Sequence, residues 1–195
     1  MLLKDKVAVI TGGAGLNGLG FATARMMVAQ SAKVAILDLE GANPQAAAVQ
    51  LGAEHLGLVG NVTDKAACEA AVAQIKAKFG RIDILVNSGS APGGSASAVG
   101  PIEGIIDDEL IWDFNVKYVG ALRCSRAVIP HMKQSGWGRI INISGATMSV
   151  RSMSAGVKRV LVLVDEFYLK PAGLGSDTVA SRKSDKGIFT SIFGN

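Results

Sequence analysis

The sequence predicts an α/β fold in which a parallel β-sheet lies between two layers of helices. Short apolar runs rich in β-branched residues alternate with longer segments that carry apolar residues at helical spacing. A glycine-rich turn joins the first of these runs to the first helical segment. Strands and helices that alternate at this spacing form right-handed βαβ units, which require a parallel sheet with helices on both faces.

The first part of the chain alternates three strands with three helices. Residues 6–11 read KVAVIT, an apolar run typical of a strand buried on both faces. The next elements, in order, are a helix over residues 21–30, a strand over 33–39, a helix over 44–51 that Pro44 begins, a weak strand over 55–59, and a helix over 64–79 that Thr63 caps and Gly80 ends.

The same alternation continues to about residue 143. Residues 82–86 read IDILV and predict a fourth strand, and the stretch 88–101, rich in Gly, Ser and Pro, predicts a loop. Apolar residues at helical spacing predict a long helix over residues 107–134. Residues 139–143 predict a fifth strand, and the run VLVLV at 160–164 could form a sixth.

The composition indicates one globular domain and excludes several classes of function. The chain has 195 residues, of which 49% are hydrophobic and 18% charged. The net charge is +4 without a block of like charges, so we expect a solvated, loosely ordered basic end of the chain and no nucleic-acid partner. Contact of that end with nucleic acid or an acidic surface is the alternative. We expect neither a signal peptide nor a membrane span, because no apolar run is long enough.

The cysteines and histidines carry no metal-binding pattern. Cys68 and Cys124 each lie in a helical segment without a CxxC motif. We therefore expect no metal site and no disulfide framework, and we expect a reducing, cytoplasmic location. His55 and His131 are isolated in the sequence, which favours surface or internally hydrogen-bonded roles.

The turn at residues 11–20, TGGAGLNGLG, has the composition of a phosphate-binding loop. Glycine lets backbone N–H groups approach a pyrophosphate, and the following helix adds the positive end of its dipole. Asp38 ends the second strand, where a carboxylate can accept hydrogen bonds from both ribose hydroxyls. A 2′-phosphate would meet like charge there, so NAD is favoured over NADP. The alternative role for Asp38 is that of an ordinary turn residue.

These motifs resemble those of the short-chain dehydrogenase/reductase family over about residues 4–150. The turn at 11–20 is similar to the family's Thr-Gly-x-x-x-Gly-x-Gly with two extra residues. The further landmarks that resemble the family are Asn61-Val62 in the stretch that contacts adenine, Asn87-Ser88-Gly89 in the loop after the fourth strand, Asn115 in the long helix, and residues 138–144 in the fifth strand with its following serine.

The resemblance implies a Rossmann-type, doubly wound sheet of strand order 3-2-1-4-5. It also implies hydride transfer between NAD and an alcohol or carbonyl carbon of a small molecule. In the family, the asparagine at the place of Asn115 kinks the main chain to bind a proton-relay water, and a serine binds the substrate oxygen. Ser144 is the candidate for that serine, with a structural role equally open. The cofactor-binding residues implied are Gly12, Asn17, Gly18, Leu19, Asp38, Leu39, Asn61, Val62, Asn87 and Gly89.

The family's catalytic Tyr-x-x-x-Lys motif is absent. Tyr118 is followed four residues later by Leu122, and Tyr168 by Ala172. Loss of a general acid/base costs about 10²–10⁴-fold in rate. The sequence therefore predicts an impaired NAD-dependent oxidoreductase. One alternative is a non-catalytic protein that binds NAD, the product of a truncation or of a change of reading frame near residue 157. The other is an interaction protein that pairs with other copies of itself or with a full-length relative.

The resemblance ends near Lys158, which predicts two regions. Residues 1–157 form the NAD-binding domain, and residues 158–195 form an atypical tail in place of the family's catalytic helix and substrate lid. The family uses the long helix as a dimer interface, so the resemblance also implies self-association through residues 107–134.

Overall fold

The computed structural model describes residues 1–90 and 102–143, which contain one five-stranded sheet. Its strands are β1 (Val7–Thr11), β2 (Lys33–Asp38), β3 (Leu56–Val59), β4 (Ile84–Asn87) and β5 (Arg139–Asn142). Every pairing is parallel, and the order β3-β2-β1-β4-β5 confirms the predicted order 3-2-1-4-5. The suggested sixth strand at 160–164 and the predicted domain boundary after residue 157 lie outside the described residues.

Helices cover both faces of the sheet. They are α1 (Leu19–Ala29), α2 (Pro44–Leu51), α3 (Lys65–Phe79), α4 (Asp107–Phe114) and α5 (Gly120–Gln134). Side chains alternate across each strand, so the sheet builds two cores. Val7 and Val9 of β1 pack with α3 and α5, whereas Ala8 and Ile10 pack with α1 and α2. This arrangement is the predicted three-layer α/β architecture.

The start of α3 differs from the prediction by one residue. The predicted cap was Thr63, but the side chain of Asp64 accepts hydrogen bonds from the N–H groups of Ala66 and Ala67, at 2.8 and 3.3 Å. The Thr63 N–H instead donates to Asn61 Oδ1 at 2.9 Å. This local turn delays entry into the helix, so α3 begins at Lys65.

The predicted continuous helix over residues 107–134 is interrupted. A π-helical segment, Asn115–Val119, separates α4 from α5. The Gly120 N–H donates to the carbonyl oxygen of Asn115, five residues back, instead of to the residue four back. Periodicity alone did not reveal the change, because the apolar residues remain close to helical spacing on either side of it.

Two polar side chains are buried where strands begin. Asp83 is fully buried, and its Oδ2 accepts a hydrogen bond from the Val7 N–H at 2.9 Å. Arg81 pairs with both oxygens of the same carboxylate. His55, also buried, accepts from the Val34 N–H at Nδ1, at 3.1 Å. His55 therefore has the internally hydrogen-bonded role that its isolation in the sequence allowed.

Within residues 1–90 and 102–143, no helix has both the length and the apolar character needed to cross a lipid bilayer.

Candidate functional site

The predicted site residues follow the carboxyl ends of the strands. The register aligns Thr11 with Asn87, and Asn87 with Asn142, on three neighbouring strands. On the other side of β1, Asp38 is the last residue of β2 and aligns with Val59 of β3. Because all strands are parallel, the loops that follow them share one edge of the sheet, which is where α/β folds bind ligands.

Gly12 makes the sharp turn that ends β1. Its φ of +66° lies in the left-handed region that favours glycine. A Cβ at this position would lie 2.6 Å from Gly89 Cα and from the Ser88 carbonyl oxygen. The loop after β1 therefore packs directly against the loop after β4, and only a residue without a side chain fits between them.

The glycine loop leads into α1, whose N-cap residue is Gly18. Gly18 has no side chain to cap the helix, and the first turn contains no acidic residue. A Cβ on Gly20 would collide with the carbonyl oxygen of Gly12, so this glycine brings the helix close to the strand end. The arrangement leaves backbone N–H groups available to an anion.

Asp38 turns its carboxylate toward the glycine loop. Its Oδ2 accepts a hydrogen bond from the Ala14 N–H at 2.9 Å, and its Oδ1 accepts from the Leu39 N–H at 2.8 Å. Asp38 is partly exposed. A carboxylate oxygen can accept a second hydrogen bond, so both oxygens keep capacity for a ligand's hydroxyl groups.

The loop after β3 approaches the same region from the side of α5. Asn61 is exposed, and its Oδ1 accepts a hydrogen bond from the Thr63 N–H within the turn that follows β3. Val62 packs against Gly120 so closely that a Cβ on this glycine would lie 2.8 Å from Val62 Cγ2. A Cβ on Gly89 would lie 3.9 Å from the same methyl group, which places the loops after β3 and β4 side by side.

Side chains from two strands hold the loop after β4. Thr11 Oγ1 accepts hydrogen bonds from the Ser88 and Gly89 N–H groups, both at 3.2 Å. Asn87 Nδ2 donates to Asn142 Oδ1 at 2.8 Å. Asn87 is buried, and in the part of the chain that the structure describes no group donates to its Oδ1. This buried acceptor is available to a donor on a bound ligand.

Asn115 opens the π-helical segment and is tied to α5. Its Oδ1 accepts a hydrogen bond from Arg123 Nη1 at 2.9 Å, across two helical turns. The irregular backbone thus begins at the residue for which the family resemblance implies a kink.

The structure gathers most of the predicted residues but leaves some apart. Direct contacts join the loops that contain Gly12, Asp38 and Gly89. Asn17, Gly18 and Leu19 lie on the exposed outer part of the glycine loop. Ser144 lies outside the described residues, as do Lys158 and Tyr168.

Three residues of this region were not predicted. Thr11, Asn142 and Arg123 each bind a predicted residue or its loop through a side chain. Thr11 is the first residue of the turn at 11–20 and Asn142 lies in β5, so both belong to motifs identified in the sequence. No sequence signal connects Arg123 to Asn115.

Comparison with known proteins places the chain among dehydrogenases. The family described as short chain dehydrogenase matches residues 6–157. An uncharacterised short-chain type dehydrogenase/reductase of Sinorhizobium fredii is 36% identical over 154 residues, which are 75% of this chain and 58% of that protein. The D-threitol dehydrogenase of Mycolicibacterium smegmatis is 33% identical over 153 residues, 76% of this chain and 55% of that protein.

A solved structure shares the same architecture. The 3-ketoacyl-(acyl-carrier-protein) reductase from Brucella melitensis, complexed with NADH, is 31% identical with a TM-score of 0.63, over 69% of this chain and 52% of that one. The chain therefore spans between half and three-fifths of the length of these relatives.

Proposed function

Because the chain belongs to the short-chain dehydrogenase family, we propose that it binds NAD(H) at the carboxyl edge of its sheet and acts on the alcohol or carbonyl group of a small molecule. The observation that carries this proposal is the hydrogen bond between Asp38 and Ala14, which brings an acidic side chain to a glycine loop that opens a helix. The solved relative complexed with NADH supports the same choice of cofactor.

Each part of the dinucleotide has a candidate partner in this chain. The uncapped start of α1, after Gly18, suits the pyrophosphate. Asp38 suits the ribose hydroxyls and opposes a 2′-phosphate, so we infer a preference for NAD over NADP. Asn61 and Val62, in the loop after β3, match the stretch that contacts adenine in the family, and we propose the same role for them here. The buried Oδ1 of Asn87, which accepts from no group among the described residues, fits a donor on the cofactor, and Gly12 lets the loops after β1 and β4 pack side by side at the same strand ends.

The chemistry that we propose is hydride transfer, which a nicotinamide cofactor supplies when bound. In this proposal Ser144 binds the substrate oxygen, and the kinked main chain at Asn115 holds a water for proton transfer. No tyrosine in the sequence has a lysine four residues later. Without that acid/base pair we expect turnover about 10²–10⁴-fold below that of a complete site.

The extent of the family match supports the domain division. The match ends at residue 157, and we infer that residues 1–157 form the nucleotide-binding domain and 158–195 a tail of different character. A cytoplasmic location and the absence of a nucleic-acid partner remain predictions.

One titration and one activity assay test the proposal. NADH fluorescence is followed as the full chain is added, and the same protein is then assayed with NAD and a panel of secondary alcohols, and with NADH and ketones. We expect saturable NADH binding and slow turnover. Failure to bind NADH would refute the proposal, whereas binding with no turnover would support the non-catalytic alternative.

A second candidate function is pairing with another copy of the chain. Helix α4 exposes four large apolar side chains, Leu110, Ile111, Trp112 and Phe114, each between 48% and 64% exposed. Large apolar side chains exposed on one helix are typical of an interaction surface. Size-exclusion chromatography with light scattering tests this: a dimer that Trp112→Glu converts to a monomer supports it, and a monomeric wild type contradicts it.

A further inference from the structure

The two cysteines of the chain lie side by side in the core between α3 and α5. Cys68 belongs to the first turn of α3 and Cys124 to α5, and their sulfur atoms are 3.6 Å apart. Both are free thiols and both are buried, with 1% and 3% of their surfaces exposed. They are 56 positions apart in the sequence, so the packing of α3 on α5 brings them together.

The thiol pair touches the loop after β3 directly. Cys68 Sγ lies 3.7 Å from the carbonyl oxygen of Val62 and 4.0 Å from that of Asn61, within reach of a weak S–H···O hydrogen bond. Cys124 donates its own S–H to Cys68. The position of the Cys68 sulfur is therefore coupled to the loop for which we propose a contact with adenine.

The surroundings make the two thiols unequal. The hydrogen bond from Cys124 lowers the pKa of Cys68, and the charge of Arg123 lowers it further, while burial opposes both. The pKa of Cys124 is raised by the same hydrogen bond and by burial. Cys68 is thus the thiol of the pair that ionises first, and Cys124, with its sulfur 3.6 Å away, is placed to attack a Cys68 sulfur that has been oxidised.

We propose that Cys68 and Cys124 form a reversible disulfide that weakens nucleotide binding, a consequence that rests on the function proposed above. To reach the ~2.05 Å of a disulfide, the sulfur atoms must approach by roughly 1.5 Å. The bond removes the S–H that Cys68 directs at the Val62 carbonyl and draws that sulfur toward α5. The loop after β3 then loses one of its anchors.

A hydroperoxide is the oxidant in this proposal, and the step balances. The Cys68 thiolate attacks one peroxide oxygen and becomes a sulfenic acid. When the oxidant is hydrogen peroxide, the other oxygen leaves as hydroxide and takes up the proton that the thiol released, which gives one water molecule. Cys124 then attacks the Cys68 sulfur, the S–S bond forms, and the sulfenic oxygen leaves as a second water. The two thiols lose two electrons and two protons, and a dithiol reductant restores them.

The bond itself is tested without reference to any nucleotide. The purified, reduced full chain is exposed to a small excess of hydrogen peroxide, alkylated, and analysed by intact mass and by non-reducing peptide mapping. We expect the intact mass to fall by about 2 Da, which is the mass of two hydrogen atoms. We also expect a peptide that links Cys68 to Cys124, and reversal of both changes by dithiothreitol. Oxygen adducts without the link, links between chains, or two thiols that still alkylate would overturn the proposal.

The functional consequence is tested by NADH titration of the reduced and the oxidised chain. We expect the Kd to rise by about fivefold or more on oxidation, the lower end of ordinary coupling between sites, and to recover on reduction. Cys124→Ala should make the Kd insensitive to brief peroxide treatment, with Cys124→Ser as a second variant if the first does not fold. A cross-link that leaves the Kd unchanged overturns the coupling. Absence of NADH binding to the reduced chain refutes the proposed function instead, and leaves the mass result standing.

Discussion

The carboxylate of Asp38 accepts a hydrogen bond from the backbone N–H of Ala14 at 2.9 Å. This contact fastens the end of β2 to the glycine loop that follows β1. An acidic side chain and a row of backbone N–H groups therefore lie next to each other, one suited to hydroxyl groups and the other to phosphates. The same contact gives Asp38 a structural role in addition to the proposed contact with ribose.

Gly12→Ala should destabilise the fold and abolish NADH binding. The substitution places a methyl group 2.6 Å from the backbone of the loop after β4 and enforces a φ of +66° on alanine. We expect a loss of roughly 1–3 kcal/mol in urea denaturation. Gly15→Ala is the matched control, because a Cβ there has, within the described residues and apart from its chain neighbours, no atom within 4 Å. Equal stability of the two variants would contradict the described packing.

Thr11→Val should loosen the loop after β4. The hydroxyl oxygen of Thr11 accepts from two N–H groups, those of Ser88 and Gly89, and valine keeps the shape without the acceptor. We expect a loss of about 1–3 kcal/mol of stability together with weaker NADH binding. Thr23→Val, at a helix position where the hydroxyl donates to the carbonyl of Leu19, should change little. Similar losses in both variants would argue against a specific role for Thr11.

Asp83→Ala should cost roughly 2–3 kcal/mol in free energy of unfolding, because the buried Val7 N–H loses its acceptor. The partial exposure of Arg81 keeps the loss below that of a wholly buried ion pair. Asp83→Asn, which retains an acceptor, should lose less. Glu69→Ala breaks an exposed ion pair with Lys65 and should change stability by under about 1 kcal/mol. Chemical denaturation of the three variants checks this order.

Stability should fall at acid pH through His55. Burial lowers the pKa of His55 from its ordinary 6.5, although Glu54 partly opposes the shift. The unfolded chain therefore takes up the proton first. The contribution of neutral His55 is complete above pH 6.5 and is lost progressively as the pH falls from there to the folded-state pKa.

The measurement is urea denaturation across this pH range. His55→Asn keeps an acceptor for the Val34 N–H without a titratable ring, so it should flatten the dependence. His131→Asn should retain it. A dependence unchanged by His55→Asn would show that another group is responsible.

The fold and the residues at the strand ends could be predicted from the sequence, because both depend on the local pattern of residues. Alternating apolar runs predicted five parallel strands, and each strand end carries its motif within a few residues. The interruption at Asn115 was not visible as a change of period, since one additional residue per turn leaves neighbouring apolar residues near helical spacing. The contacts of Asp83 with Val7 and of Cys68 with Cys124 join residues far apart in the sequence, so tertiary packing decides them. The contact of Arg123 with Asn115 lies within one helical run, but it depends on side-chain conformations that periodicity does not encode.

The most direct test is the ratio of the NADPH to the NADH dissociation constant, measured for the wild type and for Asp38→Ala. Glu40→Gln is the control, because it removes a nearby exposed acid. We predict that the wild type prefers NADH by about tenfold or more, that Asp38→Ala loses most of this preference, and that Glu40→Gln keeps it. A wild type that binds NADPH as tightly as NADH, or a preference for NADH that survives Asp38→Ala, would contradict the proposed binding site for the ribose.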